Sequence, residues 1–157
     1  MKLVSINVNG IKAFCEKGGL GVLMGTLNPD LLCFQETKAD LERFGSYTDK
    51  YKDEYARYHC GSEFKKGYAG VGILLRRSML PRVQGSVIPT LEPTYGSGRI
   101  IHLIFDTFHF ITVYTLNSGN KDGLRRAWDI AFKEYTDKLS DKPIIIMGDM
   151  NVVRKDV

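Results

Sequence analysis

The chain has 157 residues, 43% hydrophobic and 25% charged, which suffices for one folded domain with a real core and excludes a disordered polyelectrolyte. A net charge of +4 and a pI near 8.9 permit a polyanionic partner without specifying one. Cys15, Cys33 and Cys60 are odd in number, lie in or beside apolar stretches and lack C-x-x-C spacing. They read as reduced core thiols of a cytoplasmic protein, or a nuclear one in a eukaryote, and not as a disulfide framework or zinc site. M-K-L-V-S-I-N-V-N-G shows no long apolar segment or small-residue cleavage pattern, and no later run reaches spanning length. Neither a signal peptide nor a membrane association is expected.

Lys2 to Val8 is β-rich and ends at N-V-N-G, where Asn9 and Gly10 announce a sharp turn. Ile11, Phe14, Leu20, Leu23 and Leu27 fit one helical face, weakened in its middle by K-G-G-L-G. After N-P-D, the run L-L-C-F-Q-E-T-K reads as a second buried strand with Gln35, Glu36 and Thr37 at its C-terminal end, completing a β-α-β unit. A polar, tyrosine-rich connection follows. E-Y-A-R-Y-H-C-G and A-G-V-G-I-L-L-R-R then read as an antiparallel pair, and R-I-I-H-L-I-F-D and F-H-F-I-T-V-Y-T-L as another, turning near Thr107. Gly119 to Gly123 reads as a loop. Leu124, Trp128, Ala131, Phe132, Tyr135 and Leu139 have helical spacing, and D-K-P-I-I-I-M-G-D-M-N returns to a buried strand. The expectation is one α/β domain over residues 1–157 with a mixed sheet in its middle.

Several strands end in polar groups, and open α/β sheets place their ligand sites at strand C-termini. The strand-end residues are Asn7 and Asn9, then Glu36, then Tyr114, Asn117 and Ser118, then Asp149 and Asn151. Two carboxylates among amides suit a hard cation. Magnesium takes oxygen ligands, keeps several waters and uses one or two protein carboxylates plus substrate phosphate oxygens. Glu36 is the candidate direct ligand with Asn7 beside it. Asp149 is placed to accept a proton or hydrogen bond from an attacking water, with Asn151 and Asn7 holding it and donating to developing negative charge. The chemistry implied is metal-assisted hydrolysis at phosphorus.

S-I-N-V-N-G-I-K-A, L-N-P-D-L-L-C-F-Q-E-T-K-A, G-Y-A-G-V-G-I-L, G-S-G-R-I-I, V-Y-T-L-N-S-G and I-I-I-M-G-D-M-N-V together resemble, in order, the motifs of the exonuclease III family of AP endonucleases, within the endonuclease/exonuclease/phosphatase superfamily. The resemblance covers essentially the whole chain and is specific through the joint occurrence of N-x-N-G, Q-E-T-K, Y-x-x-N-S-G and G-D-x-N. It implies the N-terminal part of a four-layer α/β sandwich with mixed, largely antiparallel sheets, DNase I-like. It implies a Mg2+ cofactor, with Mn2+ as an alternative, and double-stranded DNA with abasic sites as partner, cleaved 5′ to the lesion, with 3′-exonuclease activity besides. In that family the residues matching Glu36 and Asn7 lie at the metal, and those matching Tyr114 and Asn117 at the phosphate. The residues matching Asp149 and Asn151 handle the attacking water, while Lys38 and Asn9 support the metal site from behind.

The sequence departs from the family pattern at Ile6, Ser97, Leu116 and Arg154, where Trp, Glu, Pro and His are usual. The family also continues past G-D-x-N into a second half that completes the active site and ends in an Asp-His pair. His59, His102 and His109 lie in strand patterns and are no substitute for that imidazole. The chain is therefore expected to be truncated on its C-terminal side and to cleave weakly or not at all. It is also expected to leave the inner face of its sheet bare, inviting self-association or a second chain.

Duller readings stand beside each assignment. Asn7 and Asn9 also suit a plain turn, Glu36 a helix N-terminus, Tyr114 a half-buried strand position, and F-K-K-G-Y and Arg125-Arg126 solvated faces. Two further functions fit the chain as a whole. One is an incomplete fragment or split module that binds nucleic acid or a partner; the other is a superfamily phosphatase acting on a phosphoester outside nucleic acid.

Overall fold

A computed structural model describes residues 1–91, 97–117 and 122–152. Leu3–Asn7 (β1) leads into the helices Ile11–Glu16 (α1) and Gly19–Leu27 (α2) and then into Leu31–Gln35 (β2). The single helix expected over this stretch is broken at Gly18, whose φ of 79° is left-handed. The tyrosine-rich connection contains a helix, Leu41–Thr48 (α3), which the sequence reading missed. Its signal was Asp40, whose carboxylate caps the helix by accepting from the Arg43 N–H at 2.9 Å.

Tyr55–Cys60 (β3) and Val71–Arg76 (β4) form the first expected hairpin, and Ile100–Phe105 (β6) and His109–Tyr114 (β7) the second. Between them runs an unexpected strand, Val83–Val87 (β5), half exposed at the edge of its sheet. Asp122–Asp137 (α4) and Ile144–Asp149 (β8) complete the described elements.

The strands form two sheets, in the orders β1-β2-β4-β3 and β5-β6-β7-β8, with four antiparallel ladders and two parallel ones. All five residues of β2 are buried because each of its faces has a cover. Leu31 and Cys33 join Ile101, Leu103, Phe105 and Phe110 in the core between the sheets. Leu32 and Phe34 pack under the helices with Ile11, Leu20 and Phe44. On the far side Ile100, Ile111 and Val113 lie under Trp128 of α4. Each fully buried Leu, Ile or Phe contributes about 1.5–3 kcal/mol, so these layers supply most of the driving force.

The result is the four-layer α/β sandwich with mixed sheets that the resemblance implies; among the described residues there are two four-stranded sheets, each mixed, where the strand pattern alone suggested one. One consequence needs correction. The inner face of the first sheet is not bare, because β6 and β7 already lie on it, and the case for self-association through that face falls with it.

Both parallel ladders matter for the site. β1 runs parallel to β2 with Asn7 opposite Gln35, and β7 runs parallel to β8 with Tyr114 opposite Asp149. β1 and β8, each at an edge of its own sheet, lie against each other across the sandwich. Four strand ends therefore converge. Gly148 makes the last approach possible: its φ is 153°, and a Cβ there would stand 1.9 Å from the Val113 carbonyl oxygen.

Candidate active site

Asn7 is the bridge. Its Nδ2 donates to Glu36 Oε1 at 2.9 Å and to Asp149 Oδ2 at 2.7 Å, joining acids from the two sheets that lie far apart in sequence. Its Oδ1 accepts the Asn9 N–H at 3.0 Å, which orients the amide with its nitrogen toward the carboxylates. Lys38 Nζ lies 3.1 Å from Glu36 Oε2 and also donates to Asn9 Oδ1. These residues, read from the sequence as one constellation, are brought together here.

Burial works against ionisation of Glu36, but hydrogen bonds from Asn7, Lys38 and Tyr114 outweigh it and hold the carboxyl below its ordinary value. The Tyr114 phenol is pushed up to about 12 by burial, then by the neighbouring Glu36. Tyr114 thus remains a protonated donor next to an ionised acid.

The backbone around the cluster is strained. Asn9, Glu36, Lys38, Ala69 and Asn151 all have φ between 45° and 52°, a region non-glycine residues rarely enter. The Q-E-T-K segment is held there by the Thr37 N–H donating to the Gly70 carbonyl at 3.0 Å and the Lys38 N–H donating to that of Ala69 at 2.9 Å. Thr37 Oγ1 bonds His59 Nε2 at 3.0 Å, and a Cβ at Gly70 would stand 2.2 Å from that hydroxyl oxygen. His59 therefore supports this loop from β3, a role its strand pattern did not reveal.

On the β8 side, Asp149 Oδ1 accepts the Asn151 N–H at 2.9 Å, and Asn151 Nδ2 donates to the Thr115 carbonyl at 2.8 Å. Asn117 is exposed three residues beyond β7, and among the described residues no hydrogen bond ties its side chain to the cluster. Ser118, Arg154 and most of the loop expected at Gly119 to Gly123 lie outside the described residues.

Two arginines were missed as site residues. Arg99 is 1% exposed; it donates to the Tyr114 carbonyl at 3.2 Å and to the Tyr68 hydroxyl at 2.8 Å, with its guanidinium 4.8 Å from the Tyr114 ring centre. Arg125, read as part of a solvated pair, instead turns inward onto the carbonyls of Leu116, Met150 and Asn151. Only Arg126 of the pair is exposed. Arginine beside a G-x-G turn, or one turn ahead of an acid on a helix, was the available signal.

Beside the cluster open two clefts, of about 580 Å3 and 240 Å3, which share Lys38, Ala39 and Arg43. Lys12 lines the larger, and Lys65, Lys66 and Tyr68 line the smaller. The F-K-K-G-Y lysines are exposed as expected, at the rim of a cleft and not on an open face.

Residues 4–155 match the model of the Endonuclease/Exonuclease/phosphatase family. The chain belongs to that family. It is 33% identical over 168 residues to the DNA repair nuclease APEX1 of Danio rerio, a match covering all of this chain and 51% of that protein. It is 34% identical over 164 residues to a DNA-(apurinic or apyrimidinic site) endonuclease of Dictyostelium discoideum and 32% identical over 163 residues to an exodeoxyribonuclease of Bacillus subtilis. The chain spans 43% and 61% of those two, so about half the length of the curated relatives it matches. Among solved structures, the Neisseria meningitidis 3′-5′ exonuclease NExo superposes with a TM-score of 0.78 at 23% identity over 97% of this chain and 58% of its own. The AP endonuclease LMAP of Leishmania major gives 0.77 at 22% identity over 99% and 56%. These two likenesses speak to the fold.

A divalent cation fits the donor set. Glu36 and Asp149 present hard oxygens clamped by one amide, two carboxylates being what magnesium takes from a protein, and among the described residues no group of three or more His, Cys, Asp and Glu is gathered to hold a metal ion.

Proposed function

We propose that this chain carries the N-terminal part of the active site of a magnesium-dependent DNA repair nuclease, which hydrolyses the phosphodiester 5′ to abasic sites and trims 3′ ends. One observation carries the reading: a single Asn7 amide holds two carboxylates from different sheets side by side at the convergence of four strand ends. The relatives named as AP endonuclease, repair nuclease and exodeoxyribonuclease support DNA as the substrate. The cleft rims carry Lys12, Lys38, Arg43, Lys65 and Lys66 against Glu16, Asp40 and Glu63, an excess of cations that suits a phosphate backbone.

Glu36, kept ionised, would hold the cation with Asn7 beside it, while Lys38, tied to Asn9, fixes the carboxylate's direction. Magnesium, or Mn2+ in its place, would supply stabilisation of the negative charge that develops on the phosphate. Tyr114, whose hydroxyl stays protonated and rests on Glu36, would turn that proton to the phosphate, and Asn117, exposed beyond β7, would contact the same phosphate. Asp149 orients the attacking water and accepts its proton, and Asn151 holds Asp149 through its own N–H.

The test is a Mn2+ titration followed by electron paramagnetic resonance, together with cleavage of an abasic-site duplex. Wild-type chain is expected to bind the ion and Glu36→Ala to weaken binding at least about tenfold, and whatever cleavage the wild type shows is expected to be lost in Glu36→Ala and partly regained at high metal. Equal affinity in the two proteins would refute the ligand role, and cleavage of an intact duplex as readily as an abasic one would refute the substrate.

A further inference from the structure

Arg125 stands in the first turns of α4 and takes no part in the chemistry above, yet its side chain is only 12% exposed. Its Nε donates to both carboxylate oxygens of Asp129, at 2.8 and 2.9 Å, which fixes the plane of the guanidinium. Nη1 then donates to the carbonyls of Leu116 at 2.7 Å and Asn151 at 3.1 Å, and Nη2 to that of Met150 at 2.9 Å. The acceptors belong to two separate segments. Leu116 lies on the exit from β7, next to Asn117, and Met150 and Asn151 form the exit from β8, directly after Asp149.

We propose that Arg125 is a positioning residue for phosphodiester hydrolysis, stapling the β7 and β8 exits together so that Asp149 keeps one oxygen on Asn151 and the other on Asn7. The proposal deepens the functional reading above and rests on it. The geometry supports it from several sides. Asn151 adopts a φ of 45°, a conformation non-glycine residues rarely enter, and the carbonyls of Met150 and Asn151, on either side of its N–H and Cα, are both held by the same guanidinium. The Thr115 N–H donates to the Asp149 carbonyl at 2.9 Å and Asn151 Nδ2 returns to the Thr115 carbonyl, so the two exits move together or not at all.

Docking of α4 does not depend on Arg125, since Trp128, Ala131 and Phe132 anchor the helix on the sheet. Lysine cannot replace the fork: an ammonium has no planar array able to serve Asp129 and three carbonyls at once.

Amide hydrogen exchange on wild type, Arg125→Ala and Arg125→Lys reads this directly. Both variants are expected to speed exchange at Asn151 and Thr115 at least about tenfold while the amides of β2 and β4 keep their protection. Free guanidinium at low millimolar concentration is expected to restore part of the protection in Arg125→Ala but not in Arg125→Lys, whose side chain fills the slot. On an abasic duplex, kcat is expected to fall about 10- to 100-fold with KM within about threefold. Unchanged exchange at Asn151 and Thr115 overturns the proposal, as does acceleration spread evenly over the chain, which marks general destabilisation. A rise in KM with kcat intact also overturns it, since that reports DNA binding. If wild type cleaves too weakly to measure, as expected of part of an active site, the exchange result alone decides the staple; if Arg125→Ala does not fold, Arg125→Lys carries the test.

Discussion

β7 has a polar cluster at each end, and the two are built on opposite principles. At its start His109 belongs to a chain in which Tyr135, His102, His109 and Asp141 are linked at 2.7, 2.8 and 2.8 Å. Asp141 can only accept, so His109 Nε2 donates to it, His109 Nδ1 accepts from His102 Nε2–H, and His102 Nδ1 accepts from the Tyr135 hydroxyl. Each ring nitrogen is used once, and the backbone of both strands is regular. At its other end Tyr114 joins a cluster where two acids share one amide, five residues sit in a left-handed conformation and a cleft opens alongside. A polar group serving the fold closes on its neighbours; one serving chemistry keeps acceptor capacity facing outward at a cost in strain.

That contrast can be broken at either end. Asp149→Ala should lower hydrolysis about 10³-fold, measured on an abasic duplex, while changing denaturant stability by less than about 1 kcal/mol. A large stability loss would mean that the cluster serves the fold after all. Gly148→Ala should be the reverse case, costing about 3 kcal/mol or more in urea unfolding because its Cβ meets the Val113 carbonyl at 1.9 Å.

The distal cluster should announce itself through pH. Burial, then the adjacent His109, pushes His102 from 6.5 down to about 4, against the pull of Asp141. Below pH 6.5 the unfolded chain therefore binds a proton that the folded chain refuses until about pH 4, so stability falls as pH drops through that window. Burial pushes His59 down to about 4 as well, so His102→Leu should flatten the slope without abolishing it; an unaltered slope in pH-dependent melting would remove His102 from the account. The smallest effect should come from Tyr135→Phe, which leaves His102 Nδ1 without its donor and should cost about 1 kcal/mol in the same unfolding measurement, with hydrolysis unchanged.

Much of this was legible in the residues. Strands β1 to β4 and β6 to β8 follow apolar runs bounded by Gly, Asn and Pro, and the apolar spacing of Leu124 to Leu139 marked α4. β5 was not legible because V-Q-G-S-V is a half-exposed edge with too few apolar residues to show a period, and α3 was hidden among tyrosines and charges that only its Asp40 cap distinguished. Asn7, Glu36, Tyr114 and Asp149 were legible as strand-end polar groups, and Lys38 only through the resemblance carried by Q-E-T-K. Arg99 and Arg125 were not, since an arginine turned inward onto carbonyls looks the same in sequence as one in solvent.

By itself the sequence determined the inventory: which side chains stand at the C-terminal ends of which strands, with oxygen ligands and amides and no thiol or imidazole among them. A strand's side chains alternate with a period of two and its polar residues follow its last buried one, so local pattern suffices for that. Only the tertiary structure decided how the described strands divide between two sheets, that the second covers the face of the first, and that β1 meets β8 across them. The Asn7 bridge between Glu36 and Asp149 follows from that meeting and from nothing local, because a hydrogen bond between residues 142 positions apart is set by how two buried faces pack.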